Sequence, residues 1–252
     1  MLKAEQLDAN FKEMLSLIDK YISEPRAEKL KAFYAEFSER FLFMPASGTN
    51  HFHNAFPGGY LDHIVRVTRI ALELTELWRK AGADIEFTVE ELVFSALHHD
   101  LGKFGFGEGE QYIHNDSEWH KEKLGQLYKN NPAIPFMLVS DRSLFLLQQM
   151  GVELTLSEYL AIKLHDGLYE DSNKPYLMSH SPDSKLRTNL PFILHQADLM
   201  ASRIEYEKWK GQEQEKGKKL QSKLTKVANK KAAENSKQDV QHIFSQFFTK
   251  DE

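Results

Sequence analysis

The chain of 252 residues contains no cysteine. That absence excludes a disulfide scaffold, thiolate zinc sites, iron–sulfur ligation and a cysteine nucleophile. Any metal must therefore sit on His, Asp, Glu or backbone oxygen. No apolar run approaches the roughly 20 residues that a membrane span needs, so no membrane contact is expected. The first residues, MLKAEQLDANFKEML, are amphipathic and mixed in charge. They read neither as a signal peptide nor as a transit peptide, and a cytoplasmic protein is the expectation. Alternating polar and apolar runs are also too short to indicate a sheet. Hydrophobic residues at 41% are enough to build a packed core, which argues against wholesale disorder.

What remains reads as helix. Leu7, Phe11, Met14, Leu15 and Ile18 recur at helical spacing, and Pro25 opens a second helical segment. Residues 45–59 carry Pro, Ser, Gly and Asn and read as an ordered loop. A helix over about 60–78 turns Ile64, Val67, Ile70, Ala71, Leu74 and Leu77 inward. Thr88 with Glu91, and Thr155 with Glu158, form capping-box patterns opening two more helices. The first of these should stop near Gly102, and the second runs to about His165. Residues 102–117, glycine-rich and aromatic, suit a flap over a site. Pro191 suits the first turn of a last long helix. The expected fold is all-α, a helical bundle with three parts. N-terminal helices (1–45) pack on a core (46–207), which is followed by a C-terminal helical extension (208–252).

The net charge of −5 hides an asymmetry. Ten lysines and three acids in 208–237 give that segment +7 and leave −12 elsewhere. A solvated helix or mobile linker explains the lysines, and a nucleic-acid contact is the sharper reading.

Eleven histidines give the sequence its chemistry. His63 lies on an apolar helix face, with Val67, Ile70 and Leu74 at i+4, i+7 and i+11. His99-Asp100 and His165-Asp166 each end an apolar helix. Asp198 shares a stripe with Leu194 and Ala201, where an ionised carboxylate is costly unless paired or bound to a metal. Each residue alone also fits a hydrogen-bonded core position or a cap. Together they suit a nitrogen–oxygen site for one or two divalent transition metals (Mn, Fe, Co, Ni or Zn). His98 points about 100° away from the pair and reads as packing or as a support behind the ligands. His51, His53, His114, His180 and His195 have no motif supporting ligation. An exposed loop histidine is the expectation for His53 and His114, although either could touch a phosphate.

The segments GGYLDH (58–63), HHDLGK (98–103) and QADLMASR (196–203) resemble the HD-domain metal-dependent phosphohydrolases. The resemblance runs from about His53 to Arg203. It implies His63, His99, Asp100 and Asp198 as metal ligands. By shorter motifs, WHKEKLG and KLHDG, it points to His120 and His165 as ligands of a second metal, with Asp100 bridging. If those two fail, the site is mononuclear. A metal-activated hydroxide would attack phosphorus. Lys103 would neutralise phosphoryl oxygens beside Asp100, or else satisfy a helix end. Arg66 and Arg203 are further substrate-binding candidates, or structural ion-pair partners.

The segment from Asn50 most resembles the HD domain of bacterial 3′→5′ exoribonucleases. Their oligonucleotide-binding β-domain has no counterpart here. A nucleotide or deoxynucleotide phosphohydrolase is therefore the leading expectation, with exonuclease action on short RNA or DNA as the alternative. A non-catalytic HD regulatory module and an oxygenase on the same scaffold are minor readings. Residues 241–248, QHIFSQFF, resemble sliding-clamp docking peptides, though Phe244 departs from the pattern. An amphipathic helix packing on the body, or on a second subunit of a homo-oligomer, explains them equally.

Overall fold

Helix ends in this chain are written into short polar signals, and the fold follows them. A computed structural model of the protein describes residues 2–50, 52–216 and 218–219. It divides into two units, Met1–Tyr206 and Glu207–Glu252. In the second unit the described residues, 207–216 and 218–219, are helical. Most of the lysine-rich 208–237 segment, all of 241–248, and His51 lie outside the described residues.

The first unit begins with α1 (Ala4–Tyr21), α2 (Arg26–Glu36) and α3 (Ser38–Phe43). A loop leads to the long α4 (Gly59–Lys80), and α5 (Val89–His98) follows. Thr88 caps α5 as its pattern predicts: its hydroxyl accepts from the Glu91 N–H while the Glu91 carboxylate accepts from the Thr88 N–H. A 3₁₀ turn (Leu101–Phe104) leads on to β1 (Tyr112–His114), α6 (Glu118–Leu124) and β2 (Tyr128–Asn130). Then come α7 (Val139–Gln149), α8 (Leu156–Leu164) with the second capping box at Thr155, and α9 (Lys174–Leu177). A further helix, α10, starts at 190 and reaches the end of the unit at Tyr206. The expected all-α architecture is the observed one, with one small exception. The strands β1 and β2 pair antiparallel, Tyr112 opposite Asn130; β1 lies inside the 102–117 stretch expected to be a flap and β2 beyond it. Three residues a side is too short for alternation to show in a sequence.

Helix α4 packs on α5, α5 on α8, and α1 on both α4 and α5. Two buried clusters result. One gathers Ile64, Val93, Phe94 and Leu97 with Tyr34, Phe41 and Phe104 from either side. Its aromatic rings interlock, Phe41 stacking on Phe104 at 5.2 Å between centroids. The other joins Val67 and Ala71 of α4, Leu92 and Ala96 of α5, and Leu194, Ala197 and Ala201 of α10. Burial of each large apolar side chain contributes about 1.5–3 kcal/mol. Adjacent faces of α4 and α5 thus serve different clusters, and His63 and His99 lie between them. Leu77, expected inward, is exposed, because that turn of α4 presents Leu74 and Trp78 to the second cluster instead.

Gly102 does not end α5, which stops four residues earlier at His98. Its small size answers a close approach instead. A Cβ there would lie 2.1 Å from the Val139 carbonyl oxygen at the start of α7. The Gly102 N–H donates to Ser143 Oγ at 2.7 Å, and Ser143 Oγ donates to the His99 carbonyl at 2.9 Å. Helix α7 is thereby fastened to the end of α5.

His98 is fully buried, with Nδ1 donating to the Phe94 carbonyl at 2.6 Å and its ring against Phe94. It packs, as expected. Burial lowers its pKa to about 4. Between that value and the free imidazole value near 6.5 the unfolded chain binds a proton that the folded chain refuses, so this contribution is lost as pH falls. The metal-free stability difference between wild type and His98→Leu should therefore shrink by about 2 kcal/mol from pH 6.5 to pH 5. Urea denaturation at the two pH values with a chelator present measures it; a pH-independent difference would mean that burial does not shift His98 from its unfolded pKa.

Candidate metal centre

Four helix segments bring imidazoles and carboxylates to one place. His63 lies one turn into α4. His99 and His165 occupy equivalent positions, each the residue that follows the last turn of its helix, α5 and α8. Asp100 follows His99, and Asp198 is on α10. The Nε2 atom of His63 is 3.5 Å from Asp100 Oδ2 and 3.1 Å from Asp198 Oδ1. His99 Nε2 is 3.5 Å from Asp100 Oδ2, and His165 Nε2 is 3.7 Å from Asp100 Oδ1. The three histidines are at most 2% exposed and Asp100 4%.

The opposite ring nitrogens explain why the Nε2 atoms face inward. His99 Nδ1 is 2.8 Å from the Ala96 carbonyl, and His165 Nδ1 is 2.8 Å from the Ile162 carbonyl. A carbonyl only accepts, so each Nδ1 carries the proton and each Nε2 keeps its lone pair. His63 Nδ1 meets the buried Glu205 carboxylate at 3.1 Å instead. Glu205 also accepts from Arg66 Nη1 at 2.7 Å. The buried Nε2 atoms of His63 and His99 make no directed hydrogen bond within the protein. Buried polar atoms left so are rare and call for a partner. Imidazoles oriented by carbonyl or carboxylate partners, with Nε2 turned to shared carboxylates, fit a divalent transition metal.

Three groups offer one donor atom per residue within 4.8 Å of one another: His63, His99 and Asp198; His99, Asp100 and His165; His53, His63 and Asp100. His63, His99, Asp100, His165 and Asp198, the candidates expected from their motifs, thus lie together. Among the described residues none of these groups includes His120. That side chain is on α6, with Nδ1 at 2.6 Å from Ser117 Oγ in the same turn. Its motif coincides with a local capping arrangement. His53, expected as an exposed loop residue, is half-buried with its ring 4.7 Å from that of His63. His114 is exposed against Tyr128. Lys103 lies against the centre, Nζ to Asp100 Oδ2 at 2.5 Å. Arg66 is engaged by Asp62 and Glu205, both at 2.7 Å, and reaches the centre only through Glu205. Arg203 is exposed on the wall of a cavity that Asp198 also lines.

Charge is balanced tightly here. Burial would lower the His63 imidazole, but the neighbouring Glu205 and Asp198 carboxylates push it up to about 10. Burial lowers His99 to about 4 despite Asp100. Burial also lowers His53 well below the usual range, with the Lys103 and His63 charges adding to it. Burial opposes ionisation of Asp100, yet Lys103 and the surrounding imidazoles hold it below the usual carboxylate range. Asp198 is likewise held low, against burial, by His63. A divalent ion brought to these atoms would replace the positive charge of protonated His63. Ion uptake should therefore release protons and strengthen as pH rises.

Glu205 was not foreseen. Its one signal is a spacing of seven residues from Asp198, two turns along the same face of α10. Replacing Glu205 by Gln keeps the shape and removes the charge behind His63. Metal affinity should fall about 10–100-fold, read by competition with a chromophoric chelator; unchanged affinity would make Glu205 a partner of Arg66 alone.

No helix among the described residues is long and apolar enough to cross a membrane. The chain matches no curated protein, and no solved structure matches it either. Residues 60–132, which carry His63, His99 and Asp100, match the family model of the HD domain, and with the buried His/Asp cluster this supports the HD superfamily, generally metal-dependent hydrolases, for that stretch.

Proposed function

We propose that the protein is a metal-dependent phosphohydrolase that cleaves phosphoester bonds of nucleotides. The observation that carries the nucleotide reading is a cavity of about 520 Å³ beside Asp198. Its walls include Phe52, Tyr169, Tyr206, His195 and Arg203. That volume is within the usual range for a small-molecule site, about 300–1,000 Å³. Aromatic faces favour a base, since stacking is worth about 1–3 kcal/mol per base and tolerates any base. Arg203 suits a phosphate or sugar oxygen. A nucleotide lying along the cavity would bring its phosphate to Asp198 and the metal centre.

His63, His99, His165, Asp100 and Asp198 are the residues that would hold the metal. A divalent ion there supplies Lewis acidity and lowers the pKa of a bound water to about 7. The protein's own contribution is orientation and charge. Main-chain carbonyls and Glu205 fix the three rings. The Lys103 ammonium, buried and held charged by Asp100 against the cost of burial, can donate to a phosphoryl oxygen. His53 and Tyr169 line the same cavity as Asp198.

A product-resolved screen tests the reading. Purified protein loaded with Mn²⁺ or other divalent ions is offered dNTPs, NTPs, monophosphates, cyclic dinucleotides and 3′-labelled short RNA and DNA. Release of phosphate, pyrophosphate or triphosphate from small nucleotides is expected. A ladder of shortened labelled strands would move the assignment to the exonuclease alternative. No cleavage of any phosphoester by metal-loaded protein would overturn both.

A further inference from the structure

We propose that His53 is a metal ligand, the nitrogen donor that allows the centre to hold a second divalent ion. The inference rests on reading the His/Asp cluster as a metal centre and goes beyond it by naming a donor outside the motifs.

The argument is one of donor arithmetic. An imidazole whose Nδ1 is engaged by a carbonyl has a single lone pair, at Nε2, and can serve one ion. A carboxylate has two oxygens and can serve two. Without His53, the groups of converging donors are His63–His99–Asp198 and His99–Asp100–His165. They overlap at His99, whose Nδ1 is held by Ala96, so between these two groups only one ion at a time keeps all three donors. With His53, the groups His53–His63–Asp100 and His99–Asp100–His165 overlap at Asp100 alone. The donors then divide between two ions that share a carboxylate. His120, the donor expected from its motif, takes no part in any of these groups.

The loop carrying His53 is built to hold it there. Ser47 Oγ donates to the His53 carbonyl at 2.7 Å. The next residue, Asn54, is buried and has a φ of 39°, in the left-handed region that non-glycine residues seldom adopt. Its Nδ2 donates to Asp62 Oδ2 at 2.8 Å, one residue before His63. Gly59, at the start of α4, lets the loop close on the helix: a Cβ there would lie 2.0 Å from the Asn54 carbonyl oxygen. Strain of this kind persists where surrounding contacts over-determine it and clusters at functional sites. His53 Nε2 itself stands 3.3 Å from Lys103 Nζ, so its lone pair faces the same charged atoms as the other ligands.

The test is metal stoichiometry, by equilibrium dialysis against Mn²⁺ or Zn²⁺ followed by elemental analysis. Wild type and His120→Ala should each bind two ions per chain, and His53→Ala only one. Exogenous imidazole should restore the second ion to His53→Ala, a rescue that a merely structural role would not give. Lys103→Met, which removes the other partner of His53, should keep both ions. Circular dichroism controls for folding of each variant. Equal stoichiometry and affinity in wild type and His53→Ala overturns the proposal, as does a wild type that binds a single ion. A wild type that binds no ion overturns the metal-centre reading itself.

Discussion

Asp100→Ala should strip the protein of metal and reduce phosphohydrolase activity to background. Asp100 turns both oxygens to the imidazoles, Oδ1 towards His165 and Oδ2 towards His63 and His99. Among the described residues no other carboxylate lies within 4.0 Å of all three rings. The substitution also strands the buried Lys103 ammonium, and breaking a buried pair costs about 3–5 kcal/mol. Misfolding could therefore imitate loss of function. Asp100→Asn separates the two, since it keeps the volume and an acceptor oxygen while removing the charge. Both variants should lack metal by elemental analysis. The Asn variant should retain the wild-type helical spectrum. Full activity in a metal-free, folded Asp100 variant would overturn the mechanism.

Lys103→Met should have the second-largest effect, and in the opposite pattern. Turnover should fall about 10²–10³-fold, the usual cost of deleting one preorganised donor at a site of developing charge. Metal content should persist, because the methionine leaves Asp100 free of a competing cation. Lys103 is 7% exposed and held charged by Asp100, so its loss removes a fixed positive charge from a low-dielectric site. Lys103→Arg should recover only part of the activity, since a planar fork replaces a compact charge. If Lys103 instead serves only to finish a helix end, turnover in Lys103→Met would stay near wild type while stability fell.

Particular residues show where sequence reading reached and where it stopped. The helices and their starts were legible because caps and apolar periodicity are local: Thr88 with Glu91 and Thr155 with Glu158 announce α5 and α8. His63, His99, Asp100, His165 and Asp198 were legible as candidates because each stands at a helix end or on an apolar stripe where its polarity is out of place. Glu205 was not, since its role depends on α10 crossing α4, a tertiary event with no local mark. His53 was not, since a polar loop gives no period from which inward pointing can be read. The strands β1 and β2 escaped for the same reason as most short pairings, as the partner lies 14 residues or more away. Gly102 was misread because a close approach by α7 and a helix stop ask for the same residue.

The bonds that orient the three central histidines differ in kind. His99 and His165 are aimed by carbonyls of their own helices, at Ala96 and Ile162. Any residue at 96 or 162 supplies that oxygen, provided the turn stays helical. These two orientations are therefore immune to side-chain substitution at the bonding position and leave no trace in a comparison of sequences. His63 is aimed by a side chain, Glu205, and can lose its orientation through one nucleotide change. Drift in a lineage of such chains would accordingly act first on one ring of the three, the one on the long helix.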